Sequence, residues 1–285
     1  MPSADIGAVR IGYDLHGHPD GPRVALFCGR AMNRRFWHFT LVPRLTDAGY
    51  RVLTMDNRGT GTSSTPRGPY TVEQLASDAD ALLDRLGWTS TAVCGLSLGG
   101  MIAERLAATR PGVGAAVMLA SSATRTAFQQ ALFDAHREEA RRGPLSPAVA
   151  ALIELVTTVP AGALLTDEPM AATMLSHLAQ RPAGQTGPGD QGAAAAAWSG
   201  SDAQRAAWAS LDMPNLVVAF EHDLIFPPHA VRAAAEEIRG ARYAQVPGVA
   251  HGDGLVRAAG PIADLVIGFL AEVWPAIEGD RALAA

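Results

Sequence analysis

The chain has only two cysteines among 285 residues, Cys28 and Cys94, so a disulfide framework of the secreted type cannot be built from it. It has no run of about 18 apolar residues, the length that a membrane-spanning helix needs. Its first residues, Met1-Pro2-Ser3-Ala4-Asp5-Ile6, carry neither the basic segment nor the apolar stretch of a secretory signal. Positive charge is not in excess either: 23 Lys plus Arg stand against 28 Asp plus Glu, a formal net charge of −5, which argues against nucleic acid as the main partner. These absences describe a cytoplasmic protein without membrane attachment, expected to act on a small molecule as a monomer or homodimer. What is abundant is apolar: 48% of the residues are hydrophobic, enough to bury a large core in one catalytic domain.

The most informative stretch is Val93-Cys94-Gly95-Leu96-Ser97-Leu98-Gly99-Gly100, a G-x-S-x-G motif. It follows the apolar run Thr91-Ala92-Val93-Cys94 and opens an alanine-rich segment, and a second apolar run, Ala115 to Ala120, comes after it. Strand, sharp turn, helix and strand is the setting in which a serine hydroxyl is held exposed, with glycines letting neighbouring backbone pass without a Cβ clash. Ser97 is therefore the candidate nucleophile. The helix from about Leu98 to Ala108 aims its free N–H groups and positive dipole end at an oxyanion forming beside it.

An acid and a histidine should follow in that order, each just past a strand. Leu216-Val217-Val218-Ala219-Phe220 runs into Glu221-His222-Asp223, and Tyr243-Ala244-Gln245-Val246 runs into Gly248-Val249-Ala250-His251. His251 is the candidate general base, since an imidazole with an unperturbed value of about 6.5 can take and return a proton near neutral pH. Asp223 is the candidate for orienting that ring, with Glu221, two residues earlier, as the rival. Taken singly, Asp223 also reads as a turn residue before Pro227-Pro228 and His251 as a solvated loop histidine; the three together make the case.

The chain resembles an α/β-hydrolase over nearly its full length. Tyr50 to Ser63 contains Asp56-Asn57-Arg58-Gly59-Thr60-Gly61-Thr62-Ser63, similar to the D-x-R-G-x-G-x-S segment of that superfamily. Gly68 to Gly87 and Cys94 to Ile102 resemble its 3-oxoadipate enol-lactonase and cofactor-free haloperoxidase branch. The resemblance implies a mostly parallel sheet with helices on both faces, a Ser97-Asp223-His251 triad, and an oxyanion hole made by backbone N–H groups. Leu98 would supply one donor, and Arg30, in the loop after the third strand, the other. Many relatives carry His-Gly where this chain has Cys28-Gly29, a departure that leaves the backbone donor in place. The resemblance implies no cofactor.

Similarity fades between Arg125 and Trp208. There strand signals vanish and helical pieces alternate with breakers: Ala127 to Arg142, Pro147 to Val159, Glu168 to Gln180 and Ala193 to Trp208. Residues 125–208 are thus expected to form a helical cap inserted into a catalytic domain of residues 1–124 and 209–285, with 182–192 as a mobile loop. Phe133, Met174 and Trp198 are the cap residues expected to meet substrate, although packing is the usual duty of apolar residues at helical spacing. His136, Arg137, Arg141 and Arg142 suit a solvated face better than an anion site, and the same holds for Arg30, Arg34 and Arg35. Cys28 and Cys94 read as small packing residues at the ends of adjacent strands. Val9 to Leu15 and Arg23 to Phe27 read as a hairpin around a His16-to-Gly21 turn, and histidines in such a turn give no rigid metal geometry. Helices are expected over Val231 to Arg239 and Pro261 to Val273, with a fraying tail from Glu278. Function follows as a serine hydrolase of an ester, lactone or thioester. A tailoring enzyme using the same residues for elimination, cyclisation or acyl transfer is the alternative; retention of all three triad positions argues against a non-catalytic receptor.

Overall fold

A computed structural model describes residues 2–143, 145–180 and 186–284. The chain runs β1 (Ser3–Ile6), β2 (Val9–His16), β3 (Arg23–Phe27), α1 (Arg35–His38), α2 (Leu41–Asp47), β4 (Arg51–Met55), α3 (Val72–Arg85), β5 (Thr91–Leu96), α4 (Leu98–Ala107) and β6 (Val113–Leu119). Six helices come next: α5 (Ala127–Arg142), α6 (Pro147–Thr158), α7 (Ala161–Thr166), α8 (Glu168–Ala179), α9 (Thr186–Trp198) and α10 (Asp202–Ala209). The chain then returns to the sheet with β7 (Asn215–Phe220), α11 (Pro228–Glu237), β8 (Arg242–Val246), α12 (Gly254–Arg257) and α13 (Ala259–Ala284).

The strands form one eight-stranded sheet in the order β1-β2-β4-β3-β5-β6-β7-β8. β1 and β2 pair antiparallel, as do β2 and β4; every later pairing is parallel. β5 and β7 are buried along their whole length, which is why they read as unbroken apolar runs instead of alternating ones. One face carries Leu75, Leu82, Met101, Ile102 and Val231 from α3, α4 and α11. The other carries Leu41, Leu45, Ile262, Val266 and Leu270 from α2 and α13. This is an α/β-hydrolase fold, and the carboxyl ends of β5, β7 and β8 open at one edge of the sheet, where ligands bind in such sheets.

The structure corrects several expectations. β2 and β3 are not a hairpin: β4 lies between them, because the buried β3 takes a parallel neighbour on each side. The hairpin is β1–β2. The expected helix Ala193 to Trp208 is two, broken at Gly200, whose φ of 67° no helix continues. Residues 186–192 of the expected loop are the first turns of α9, and residues 181–185 lie outside the described residues. α13 runs on through the expected tail to Ala284.

Candidate active site

Ser97 joins β5 to α4 with φ 56° and ψ −122°, a backbone state that a residue with a side chain holds only when its surroundings dictate it. They do so here from both sides. Its N–H donates to the Leu119 carbonyl at 2.9 Å, and the Ser121 hydroxyl donates to the Ser97 carbonyl at 2.7 Å. Glycine is required at both flanks: a Cβ on Gly95 would lie 2.0 Å from the Gly99 carbonyl oxygen, and one on Gly99 would lie 2.0 Å from that of Phe27. Leu98 opens α4, so its N–H has no carbonyl one turn back and remains a donor beside the serine.

His251 Nε2 stands 2.9 Å from Ser97 Oγ, and Nδ1 stands 2.7 Å from Asp223 Oδ2. A carboxylate only accepts, so Nδ1 carries the proton and Nε2 offers its lone pair to the serine hydroxyl. Asp223 is buried, and its other oxygen accepts the N–H groups of Ile225 and Phe226 at 2.8 Å each. The Phe226 ring stacks on the imidazole at 5.4 Å between centroids. Glu221 is elsewhere: its carboxylate accepts the Gly248 N–H at 2.7 Å and closes the loop after β8. The structure thus brings Asp223, not Glu221, to the histidine.

The loop after β3 passes the same serine, since a Cβ on Gly29 would lie 3.5 Å from Ser97 Cβ. Arg30 follows, exposed, and then Ala31 at φ 62°. Asn57 Nδ2 donates to the Cys28 carbonyl at 3.0 Å, and the Arg34 N–H donates to Asp56 Oδ1 at 2.7 Å. Asp56 also pairs with the Arg34 guanidinium and accepts the Thr62 N–H at 2.8 Å, while Ser63 Oγ donates to the Asp56 carbonyl at 2.7 Å. The Asp56-to-Ser63 segment therefore braces the loop beside Ser97. The sequence reading of Arg34 as a solvated residue is corrected: it is buried between Asp14 and Asp56.

Comparison with known proteins agrees with this architecture. Residues 22–258 match the family described as alpha/beta hydrolase fold. The chain belongs to that family. The hydrolase is 28% identical over 248 residues to BpoC of Mycobacterium tuberculosis, named provisionally as a non-heme bromoperoxidase, covering 85% of this chain and 91% of that one. It is 32% identical over 139 residues to 3-oxoadipate enol-lactonase 2 of Acinetobacter baylyi, 49% of this chain and 51% of that one. Among solved structures, the enol-lactonase of Burkholderia xenovorans superposes with a TM-score of 0.79 at 25% identity, covering 95% of this chain and 100% of that one.

The cap residues expected at the substrate go to different places. Phe133 is buried in the main core with the Arg125 guanidinium 5.7 Å from its ring. Met174 packs against the cap's own cluster of Ala151, Leu155, Val159 and Leu178. The Trp198 indole N–H donates to Glu104, seven residues beyond Ser97 and so about 10 Å away along α4; fastening cap to body replaces the pocket-lining role expected of it. The side chain of His136 lies outside the described residues, and Arg137 pairs with Asp134. Both thiols are fully buried, which pushes their pKa values up and leaves them inert as nucleophiles. His16 ends strand β2 instead of opening a turn, and with Asp14 and His38 it forms a group whose ligand atoms lie within 4.8 Å of one another. The Asp14 carboxylate already holds Arg34 Nε at 2.6 Å; along the sheet His16 is level with Ala92 and Asp14 with Cys94.

Sequence reading missed Glu104 and Gln191. The first had a signal, an acid amid the apolar residues of α4; the second, inside a Gly- and Pro-rich segment, had none.

Proposed function

We propose that this hydrolase cleaves an ester, lactone or thioester of a small to mid-sized organic acid through an acyl-enzyme on Ser97. The observation that carries the reading is the continuous hydrogen-bond chain Asp223–His251–Ser97 at a strained strand-to-helix turn. As Ser97 Oγ attacks the carbonyl carbon, His251 Nε2 takes its proton, and Asp223 steadies the imidazolium that results. The carbonyl oxygen, now an anion, is received by the N–H groups of Leu98 and Arg30. Collapse of the tetrahedral adduct expels the alcohol or thiol, which takes the proton from His251. Water then enters, gives its proton to His251 and attacks the acyl carbon; the second collapse returns that proton to Ser97 Oγ and frees the acid. Phe133 and Met174 belong to the part of the chain that would select the acyl group. The relative named as a 3-oxoadipate enol-lactonase supports acyl chemistry of this kind.

The test is Ser97→Ala. Turnover of a p-nitrophenyl ester should drop by at least about a thousandfold, and a fluorophosphonate should label only the wild type. Labelling or turnover that persists in the variant would move the chemistry to another residue.

A further inference from the structure

Helix α9 is the part of the cap that reaches the oxyanion loop. Gly187 approaches Gly59 so closely that a Cβ on it would lie 2.1 Å from the Gly59 carbonyl oxygen, and a Cβ on Gly192 would lie 3.2 Å from Arg30 Cδ. Between these two glycines Gln191 is fully buried. Its Oε1 accepts the Ala31 N–H at 2.9 Å, and its Nε2 donates to the Arg58 carbonyl at 2.8 Å. One side chain of α9 thus ties the loop beside Ser97 to the loop that follows β4.

The position of that bond matters. The Ala31 N–H belongs to the peptide plane that follows Arg30, and the Arg30 N–H belongs to the plane before it; the two planes meet at one Cα. Ala31 has φ 62°, a state that L-residues adopt only under constraint. Asn57 fixes the loop at Cys28 and Asp56 fixes it at Arg34, and Gln191 supplies the bond between those points from outside the body. We infer that Gln191 is a positioning residue for the oxyanion hole: by holding the Ala31 N–H it aims the Arg30 N–H, so that a seated cap is a condition for full catalysis. The inference rests on Arg30 being an oxyanion donor in the mechanism above. It differs from a sealing role in what it affects, since a seal changes stability whereas an aimed donor changes the transition state more than the bound substrate.

The experiment compares wild type with Gln191→Met, close in length but without an amide, and Gln191→Asn, one methylene short of Ala31. Each is assayed on p-nitrophenyl acetate and titrated with phenylboronic acid, whose tetrahedral adduct on Ser97 places an oxygen in the hole. Either folded variant suffices. Its kcat should fall about tenfold, less than the hundredfold or more that loss of a donor costs, boronate affinity should fall in the same proportion, and KM should stay within about twofold. Unchanged kcat and boronate affinity, whatever the melting temperature, overturn the inference. If the wild type itself shows no Ser97-dependent turnover or boronate binding, the acyl-enzyme reading fails and takes this inference with it. If the wild type shows both and the variants match it, only the role of Gln191 fails.

Discussion

Two of the ties between the inserted helices α5–α10 and the body are of opposite chemistry. At the far end of α4, Glu104 is a fully buried carboxylate that accepts from Ser122 at 2.6 Å, from Gln204 and Trp208 at 2.8 Å each, and from Trp198. At the near end, neutral Gln191 bridges two backbone groups. A buried charge costs several kcal/mol unless its lone pairs are filled, and removing one partner of such a group is severe. A neutral amide asks far less, about 1–3 kcal/mol if its partners are stranded. The strongest polar grip on the cap is therefore about 10 Å from the serine, while the modest one adjoins it. Holding the cap on and tuning the chemistry are assigned to different residues.

That division can be broken at its chemical side first, where the effect is largest. Asp223→Asn should lower kcat by about 10⁴-fold by misorienting His251 and leave the melting temperature nearly unchanged, whereas Glu221→Gln should stay within about threefold. The reverse ranking, read from steady-state rates, would place the acid at Glu221.

Next comes the fastening side. Glu104→Gln puts an NH2 group among donors and should destabilise the fold by about 2–3 kcal/mol in chemical denaturation, with kcat of the folded fraction within about threefold. A large loss of kcat in a fully stable variant would merge the two seams into one. Burial, the largest influence, raises the Glu104 pKa against the pull of its four donors. The folded chain then binds this proton more tightly than the unfolded one, so the carboxyl's contribution is complete below the ordinary carboxylate range and is lost as pH rises through the raised value. The stability gap between wild type and Glu104→Gln should accordingly be widest in acid and narrow with rising pH.

The smallest effect sharpens the contrast inside the cap. Met174→Ala, at a half-buried position beside the α6–α8 cluster, should shift selectivity between a bulky and a small acyl ester by about 1–3 kcal/mol while sparing the small ester, because an apolar contact acts only on substrates that reach it. Phe133→Ala, in the main core, should instead show mainly as lost stability. Equal losses on both esters without loss of stability would tie these residues to the chemical step and favour a tailoring reaction.

Ser97, Asp223 and His251 were legible because each follows a buried strand and their order along the chain is restrictive. The Asp56-to-Ser63 pattern was legible as a resemblance but not in its purpose, since its work is done on Arg34, 22 residues away. The placement of β4 between β2 and β3 is long-range pairing, to which local periodicity is blind. The start of α9 was hidden for a similar reason: Gly187, Pro188 and Gly189 are poor helix formers, and the close approach of Gly187 to Gly59 and the bonds of Gln191 set them against the body. Tertiary contact overrode propensity there.

Gln191 and Trp198 lie on the same helix, seven residues apart, and each is bound to a different part of the body. A rigid rod pinned near both ends is a poor hinge, so α9 behaves as a fixed lintel. The other half of the cap is built differently: α6, α7 and α8 bury Ala151, Leu155, Val159 and Leu178 on one another, and Thr158 at the end of α6 accepts the Gly252 N–H beside His251 at 2.8 Å. A unit with its own small core can tilt without exposing that core. The two halves of the insertion thus meet the body independently, α9 at the oxyanion loop and α6 at the histidine loop.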